Sequence, residues 1–267
     1  PNLKHQVDGV AGPLAYQSIH GRTPLICIHG FGGSGLDFEA LSVQMNPRFQ
    51  TIGINVPGHG GLDVCSNPLN QLANPVEQFN QEPIVLLGYS MGGRIALSIA
   101  LTGRLNIAHL VLIGTTPGIP TPDLRHARIQ FERDISKRLK GGSPTNFESW
   151  WRSLEPIASQ SNMPEPYKSQ MRQRRALNNL GHLDQMLAIL GTGSMSSMWS
   201  DLERINVPTD LIVGEHDQKY SKIAGQMQTL IPQAHCTTVK GCGHAPHLEA
   251  PAATATSLNA RLENLVD

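Results

Sequence analysis

The stretch from residue 83 to residue 101 constrains this chain more than any other. An apolar segment, Ile84-Val85-Leu86-Leu87, runs into Gly88-Tyr89-Ser90-Met91-Gly92-Gly93-Arg94 and then into an apolar helical pattern carried by Ile95, Ala96, Ile99 and Ala100. The pattern predicts a buried strand, a very tight turn and a buried helix. Gly-x-Ser-x-Gly at such a junction removes the Cβ atoms that would collide beside the turn, so the serine can take a strained conformation with its hydroxyl exposed. Ser90 is then expected at the C-terminal end of a strand and the N-terminus of a helix, where unpaired N–H groups favour negative charge. An ordinary strand-to-helix turn with an exposed serine would use the same residues, and the rest of the chain decides between the two.

Further apolar strands are expected at 24–28, 51–56, 108–113, 209–214 and 236–239, with helices at 36–45, at 69–79 interrupted by Pro75, at 223–230 and at 250–265. Two short extended segments around Asp8-Gly9 suggest an antiparallel hairpin at the start. Strands alternating with helices imply an α/β architecture, a mostly parallel sheet covered on both faces. Between residues 118 and 199 the strand signal stops, leaving helical segments rich in Arg, Gln, Ser and Met. The expected organisation is a core of 1–117 and 200–267 carrying an inserted all-helical lid of 118–199, emerging at the end of the sheet where Ser90 lies.

Lys and Arg together number 21, as do Asp and Glu, so the charge balance asks for neither nucleic acid nor a membrane surface. No apolar run approaches a membrane span, and the first residues lack the apolar core of a signal peptide. The four cysteines form no Cys-x-x-Cys pair, which suits reduced thiols in the cytoplasm.

A serine hydroxyl becomes reactive when an imidazole can take its proton, and the imidazole needs a carboxylate to hold its tautomer. Gly214-Glu215-His216-Asp217 and Gly241-Cys242-Gly243-His244 each follow a late strand, giving Ser90, Asp217 and His244 in chain order. Glu215 is the rival acid and His247 the rival base; Asp217 is preferred because a loop residue can reach over the sheet end, and His244 for its glycine-flanked loop. His29-Gly30-Phe31-Gly32-Gly33-Ser34 is a glycine-rich loop after a buried strand and can turn the Phe31 amide inward. A plain glycine turn is the alternative, whereas a phosphate loop lacks its Gly-Lys-Ser/Thr ending. His59, in Pro57-Gly58-His59-Gly60-Gly61, reads as a structural hydrogen-bonding residue.

Arg94 sits four residues after Ser90 in the first helical turn, where the helix dipole disfavours a cation. Its partner is expected to be a carboxylate, either of the protein or of a substrate. Thr121-Pro122-Asp123 is a helix start with Thr121 as cap, and Leu124, Arg128, Phe131 and Ile135 share one helical stripe, which places Arg128 on an apolar face. Arg125, Arg133 and Arg138 are expected in solvent. Phe147 to Trp151 offers an aromatic wall, and Arg172, Arg174 and Arg175 crowd a second helix. Several arginines above a serine elbow suit a small-molecule polycarboxylate, because Arg binds carboxylates by paired hydrogen bonds.

With these elements in order, the chain resembles the α/β-hydrolase superfamily from about residue 24 onward. The motifs His29 to Gly33, Pro57 to Gly61, Gly88 to Arg94, Arg125-x-x-Arg128, Phe147 to Trp150, Arg175 with Asn178, Gly214-Glu215-x-Asp217 and Gly243-His244-x-x-His247-Leu248-Glu249 narrow that. Together they resemble the 2-succinyl-6-hydroxy-2,4-cyclohexadiene-1-carboxylate (SHCHC) synthases of menaquinone and phylloquinone biosynthesis. The resemblance implies an α/β-hydrolase fold, Ser90, Asp217 and His244 as a catalytic triad, and Tyr89, Arg94, Arg128, Trp150 and Arg175 as substrate-binding positions. It implies loss of pyruvate from a tricarboxylate substrate; for that reaction Ser90 is expected to act as the base and the Phe31 and Met91 amides to form the oxyanion hole, with no metal or organic cofactor required. A carboxylesterase or carbon–carbon bond hydrolase, and a hydrolase-like ligand receptor, would use the same framework.

Overall fold

The computed structural model describes residues 14–18, 21–77 and 82–265. The expected turn at Asp8-Gly9 and the position of Phe79 lie outside the described residues. Seven strands form one sheet: β1 (Leu14–Gln17), β2 (Thr23–Ile28), β3 (Phe49–Ile54), β4 (Ile84–Tyr89), β5 (Ile107–Ile113), β6 (Thr209–Gly214) and β7 (Ala234–Val239), in the order β1-β3-β2-β4-β5-β6-β7. β1 runs antiparallel to β3, and every other pairing is parallel.

The apolar runs are buried on both sides, and their alternation sorts them. Ile26, Ile28, Leu86 and Leu112 face one hydrophobic core, while Leu25, Cys27, Val85, Leu87 and Val111 face the other. Helices fill both layers. Before the elbow come α1 (Glu39–Ser42), preceded by a 3₁₀ turn at Gly35–Phe38, and α2 (Pro68–Glu77); α3 (Met91–Thr102) follows it. The helix expected over 36–45 is thus split, 3₁₀ over its first residues and α only from Glu39 to Ser42. Conversely α2 runs through Pro75 without interruption; the fully buried Leu72 anchors it to the core, offsetting one lost helical hydrogen bond.

Between β5 and β6 all the regular elements are helical: α4 (Pro122–Gly141), α5 (Pro144–Trp151), α6 (Glu155–Ala158), a 3₁₀ turn at Ser159–Asn162, α7 (Tyr167–Ala176), α8 (Leu180–Leu190) and a final 3₁₀ turn at Trp199–Arg204. These helices have a core of their own, built from Ile135, Leu139, Phe147, Leu180, Leu183 and Leu187. Thr121 caps α4 by position only, with Pro122 following and no side-chain hydrogen bond. The last part of the chain supplies α9 (Gln218–Leu230), α10 (Pro246–Glu249) and α11 (Pro251–Arg261). No helix of the described residues is long and apolar enough to cross a membrane.

Candidate active site

β4 ends at Tyr89 and α3 begins at Met91, leaving Ser90 alone in the turn with φ 52° and ψ −109°. Among the described residues it is the one non-glycine with positive φ. Such a turn needs its glycines: a Cβ on Gly88 would collide with the Gly92 carbonyl oxygen, and one on Gly92 with that of Ile28.

The loops after β6 and β7 bring two further groups to this serine. His244 Nδ1 lies 2.6 Å from Asp217 Oδ2, and its Nε2 lies 3.2 Å from Ser90 Oγ. A carboxylate can only accept, so Nδ1 carries the proton and Nε2 accepts from the Ser90 hydroxyl. Asp217 is held in turn as the cap of α9, its Oδ1 accepting from the Tyr220 N–H at 3.1 Å. The Tyr220 ring packs on the imidazole with centroids 4.4 Å apart. Glu249 accepts from the N–H groups of Gly243 and Ala245 at 2.7 and 3.0 Å, on either side of His244.

The rivals are elsewhere. Glu215 accepts from the Gly241 N–H at 2.9 Å and is exposed. His247 is fully buried between Phe38 and Tyr89, neither ring nitrogen has a hydrogen-bond partner among the described residues, and burial pushes its pKa down to about 3. His59 is structural, as expected: it is fully buried, Nδ1 lies 3.1 Å from the Pro57 carbonyl oxygen, and burial holds its pKa near about 3. His29 was not singled out by the sequence motif. Its Nδ1 donates to Gly30 O at 2.7 Å and its Nε2 accepts from the Val56 N–H at 3.0 Å, which fixes the loop carrying Phe31.

A cavity of about 320 Å³ opens over Ser90, and Tyr89, Arg94, Arg128, Arg175 and His244 also line it. Phe31 and Met91 line it too, and neither of their backbone N–H groups has a hydrogen-bond partner among the described residues. Arg94 is 5% exposed, yet no protein carboxylate pairs with it among the described residues. Its Nη2 donates to the Leu190 carbonyl at 2.6 Å and its Nε approaches Met195 Sδ at 3.5 Å, and burial lowers its pKa to about 10. Arg175, 8% exposed, donates through Nη1 to Gln160 Oε1 at 2.8 Å. Arg128 is different, because its Nε donates to Glu132 Oε1 at 2.7 Å.

Several expectations need correction. Trp150 is not at this cavity; it lies in a shallow groove on the far side of α5, under the Arg138 guanidinium, 4.5 Å from its ring centroid. Adjacent helical residues point about 100° apart, so Trp151, one turn from Phe147 and stacked on it, takes the cavity side. The apolar stripe of α4 is only partly buried: Ile135 is fully covered, while Leu124 is 60% and Phe131 41% exposed, since Arg128 and Phe131 face the cavity rather than a helix. Arg125 donates to the carbonyls of Gly193 and Ser194 instead of standing in solvent. Arg174 does not line the cavity; it pairs at 2.8 Å with Asp37, which does. Gln160 and Tyr220 also line the cavity; the spacing of Tyr220 from its cap Asp217 is a signal for it in the sequence, whereas nothing there marks Gln160. Among the described residues no group of three or more His, Cys, Asp or Glu side chains is placed to hold a metal ion.

The fold and the hydroxyl–imidazole–carboxylate chain define a class, and the sequence matches the alpha/beta hydrolase family over residues 25–257. The chain belongs to that family. Within it, the chain is 33% identical over 91% of its length to a Bacillus subtilis (strain 168) protein provisionally named a 2-succinyl-6-hydroxy-2,4-cyclohexadiene-1-carboxylate synthase, covering 92% of that protein. It is 28% identical to the synthase of the same name from Enterobacter sp. (strain 638), over 88% of this chain and 89% of the relative. Among solved structures it resembles MenH from S. aureus, with a TM-score of 0.85 and 28% identity over 92% of this chain and 96% of that one.

Proposed function

We propose that this protein is a carbon–oxygen lyase that eliminates pyruvate from 2-succinyl-5-enolpyruvyl-6-hydroxy-3-cyclohexene-1-carboxylate to give SHCHC, a step of menaquinone or phylloquinone biosynthesis. The names of its relatives support this reading. The observation that carries it is that Arg94 and Arg175 are buried in the cavity with only neutral acceptors. Burying a cation without a directly paired anion is costly; Asp37 and Glu155 also line the cavity but hydrogen-bond to neither arginine among the described residues, so a substrate bearing three carboxylates would supply the close partners both lack.

In this reading His244, held by Asp217, takes the Ser90 proton, and Ser90 oxygen removes the proton next to the succinyl carbonyl. The Phe31 and Met91 amides stabilise the enolate oxygen, while Arg94, Arg128 and Arg175 hold carboxylates. The enolate collapses to a carbon–carbon double bond, the bond to the enolpyruvyl oxygen breaks, and His244 returns its proton to the departing pyruvate. Residues 118–199 act as a lid over this chemistry. Four unpaired cysteines suit the reducing cytoplasm.

The test is to incubate the protein with that substrate and couple pyruvate release to lactate dehydrogenase, comparing wild type with Ser90→Ala and Arg94→Ala. Wild type is expected to release pyruvate and both variants to lose most of it. Hydrolysis of activated esters with no pyruvate release would reassign the same residues to acyl transfer.

A further inference from the structure

Gln160 is 2% exposed and sits in the 3₁₀ turn between α6 and α7, where its amide spans two groups of the cavity. Its Oε1 accepts from Arg175 Nη1 at 2.8 Å, and its Nε2 donates to Tyr89 Oη at 3.2 Å. Chemistry fixes this orientation. A guanidinium only donates, so the atom facing it must be the carbonyl oxygen, and the amide NH₂ is thereby turned to Tyr89. An NH₂ group only donates as well, so the phenol oxygen accepts there and its own proton remains for another acceptor. Burial raises the Tyr89 pKa, keeping that proton in place, and no other hydrogen bond of the hydroxyl is made among the described residues.

The same bond anchors Arg175 without neutralising it. Among the described residues its one hydrogen-bonded side-chain partner is an amide oxygen and its Nε is buried with no partner, while the Asp37 carboxylate, paired with Arg174, acts on it only at longer range. The turn itself is fixed against the base: Ser159 donates to Glu249 Oε1 at 2.8 Å, and Glu249 holds the amides on both sides of His244. Gln160 therefore stands at a set distance from both the carboxylate-binding and the proton-transferring groups.

We infer that Gln160 is a specificity-determining positioning residue: its neutral amide presents Arg175 and Tyr89 as a paired donor site for one substrate carboxylate. This rests on the polycarboxylate reading above. A carboxylate at position 160 has nearly the same shape but reverses the outcome. It would pair with Arg175 and draw the Tyr89 proton to itself, so both donors would turn inward and the site would be filled by the protein's own anion.

The experiment compares Gln160→Glu in the wild-type and Arg175→Ala backgrounds. KM and kcat for pyruvate release are measured together with citrate affinity by isothermal titration calorimetry and the thermal midpoint. The expected result is a rise of about tenfold or more in KM and in the citrate Kd, kcat within about threefold, and an unchanged or higher midpoint. In the Arg175→Ala background the same change should add less than about threefold. An unaltered KM and citrate Kd, or the same loss in both backgrounds, overturns the assignment, as would a fall in midpoint and kcat with KM unchanged. If wild type binds citrate and Gln160→Glu weakens it, yet no pyruvate is released, the lyase reading fails while Gln160 keeps its role. If wild type does neither, both fail. Should Gln160→Glu not fold, Gln160→Leu serves: KM should rise, and adding Tyr89→Phe should cost less than about threefold more.

Discussion

Glu249 grips His244 through the backbone on either side of it, accepting from the Gly243 N–H at 2.7 Å and from the Ala245 N–H at 3.0 Å. Only an acceptor-only carboxylate can satisfy both amides and the Ser159 hydroxyl at once. Gln at this position would turn an NH₂ toward one of those donors and lose that bond. Glu249→Gln is expected to lower kcat for pyruvate release by about 10- to 100-fold with KM within about threefold, because it misplaces the imidazole without touching the arginines. Steady-state kinetics check it, and a KM effect equal to the kcat effect would place Glu249 in binding instead.

Two buried histidines make the fold acid-sensitive. His247 and His59 each have their pKa lowered to about 3 from an ordinary 6.5, and burial is the leading cause in both. For His247, Asp37 opposes the shift while His244 and Arg175 add to it; for His59, His29 adds to it. A base whose folded pKa is depressed binds more protons when unfolded, so its stability contribution is complete above about pH 6.5 and falls as the pH drops toward about 3. Between about pH 7 and 5 each histidine should cost about 2 kcal/mol. His247 has no hydrogen bond to lose and lies between the rings of Phe38 and Tyr89. In His247→Phe the loss of thermal midpoint between those pH values should shrink by about 4–8 °C, read by scanning calorimetry. An unchanged pH dependence would contradict the assignment.

Ser90 and His244, which the motifs single out and the structure brings together, lie in loops whose glycines have local causes: backbone collisions at Gly88 and Gly92, a positive φ at Gly241 and the Ser159 side chain against Gly243. Strand positions were legible for a similar reason, since burial on both faces turns β2, β4 and β5 into continuous apolar runs. The α4–α8 region was not legible at the same resolution. Whether Arg128 meets Glu132, or Trp151 rather than Trp150 meets the cavity, depends on which face of each helix packs inward, and that is set by contacts with distant segments. Gln160 shows the limit most plainly: its importance comes from Tyr89 and Arg175, residues 71 and 15 positions away.

The aromatic assignment gives a direct comparison. Trp151 lines the cavity and packs on Phe31, with ring centroids 5.3 Å apart, whereas Trp150 stacks with Arg138 at the shallow groove. Trp151→Ala should raise KM by about tenfold or more, by removing a wall of the binding cavity and freeing the loop that carries the Phe31 amide. Trp150→Ala should leave KM within about twofold and cost mainly stability, about 1 kcal/mol from a lost cation–π contact and partial burial. The reverse ranking would show that α5 turns its other face to the substrate.

Ser90 is held at a φ of 52° and ψ of −109°, a region that any residue with a Cβ enters only at a cost of about 1–3 kcal/mol. Glycine has no such penalty, but gives back about 0.5–1 kcal/mol through the greater freedom of the unfolded chain. Ser90→Ala keeps the strain and removes the hydroxyl; Ser90→Gly removes both. Both variants should fail to release pyruvate, yet Ser90→Gly should melt higher than Ser90→Ala by several degrees, corresponding to about 1–2 kcal/mol. The two effects separate because the hydroxyl bonds to His244 Nε2, a contact that serves proton transfer, while the backbone turn that exposes it opposes folding. Equal midpoints for the two variants would show that the strain at the elbow is no larger than the about 0.5–1 kcal/mol that glycine gives back, and a lower midpoint for Ser90→Gly that it is smaller still.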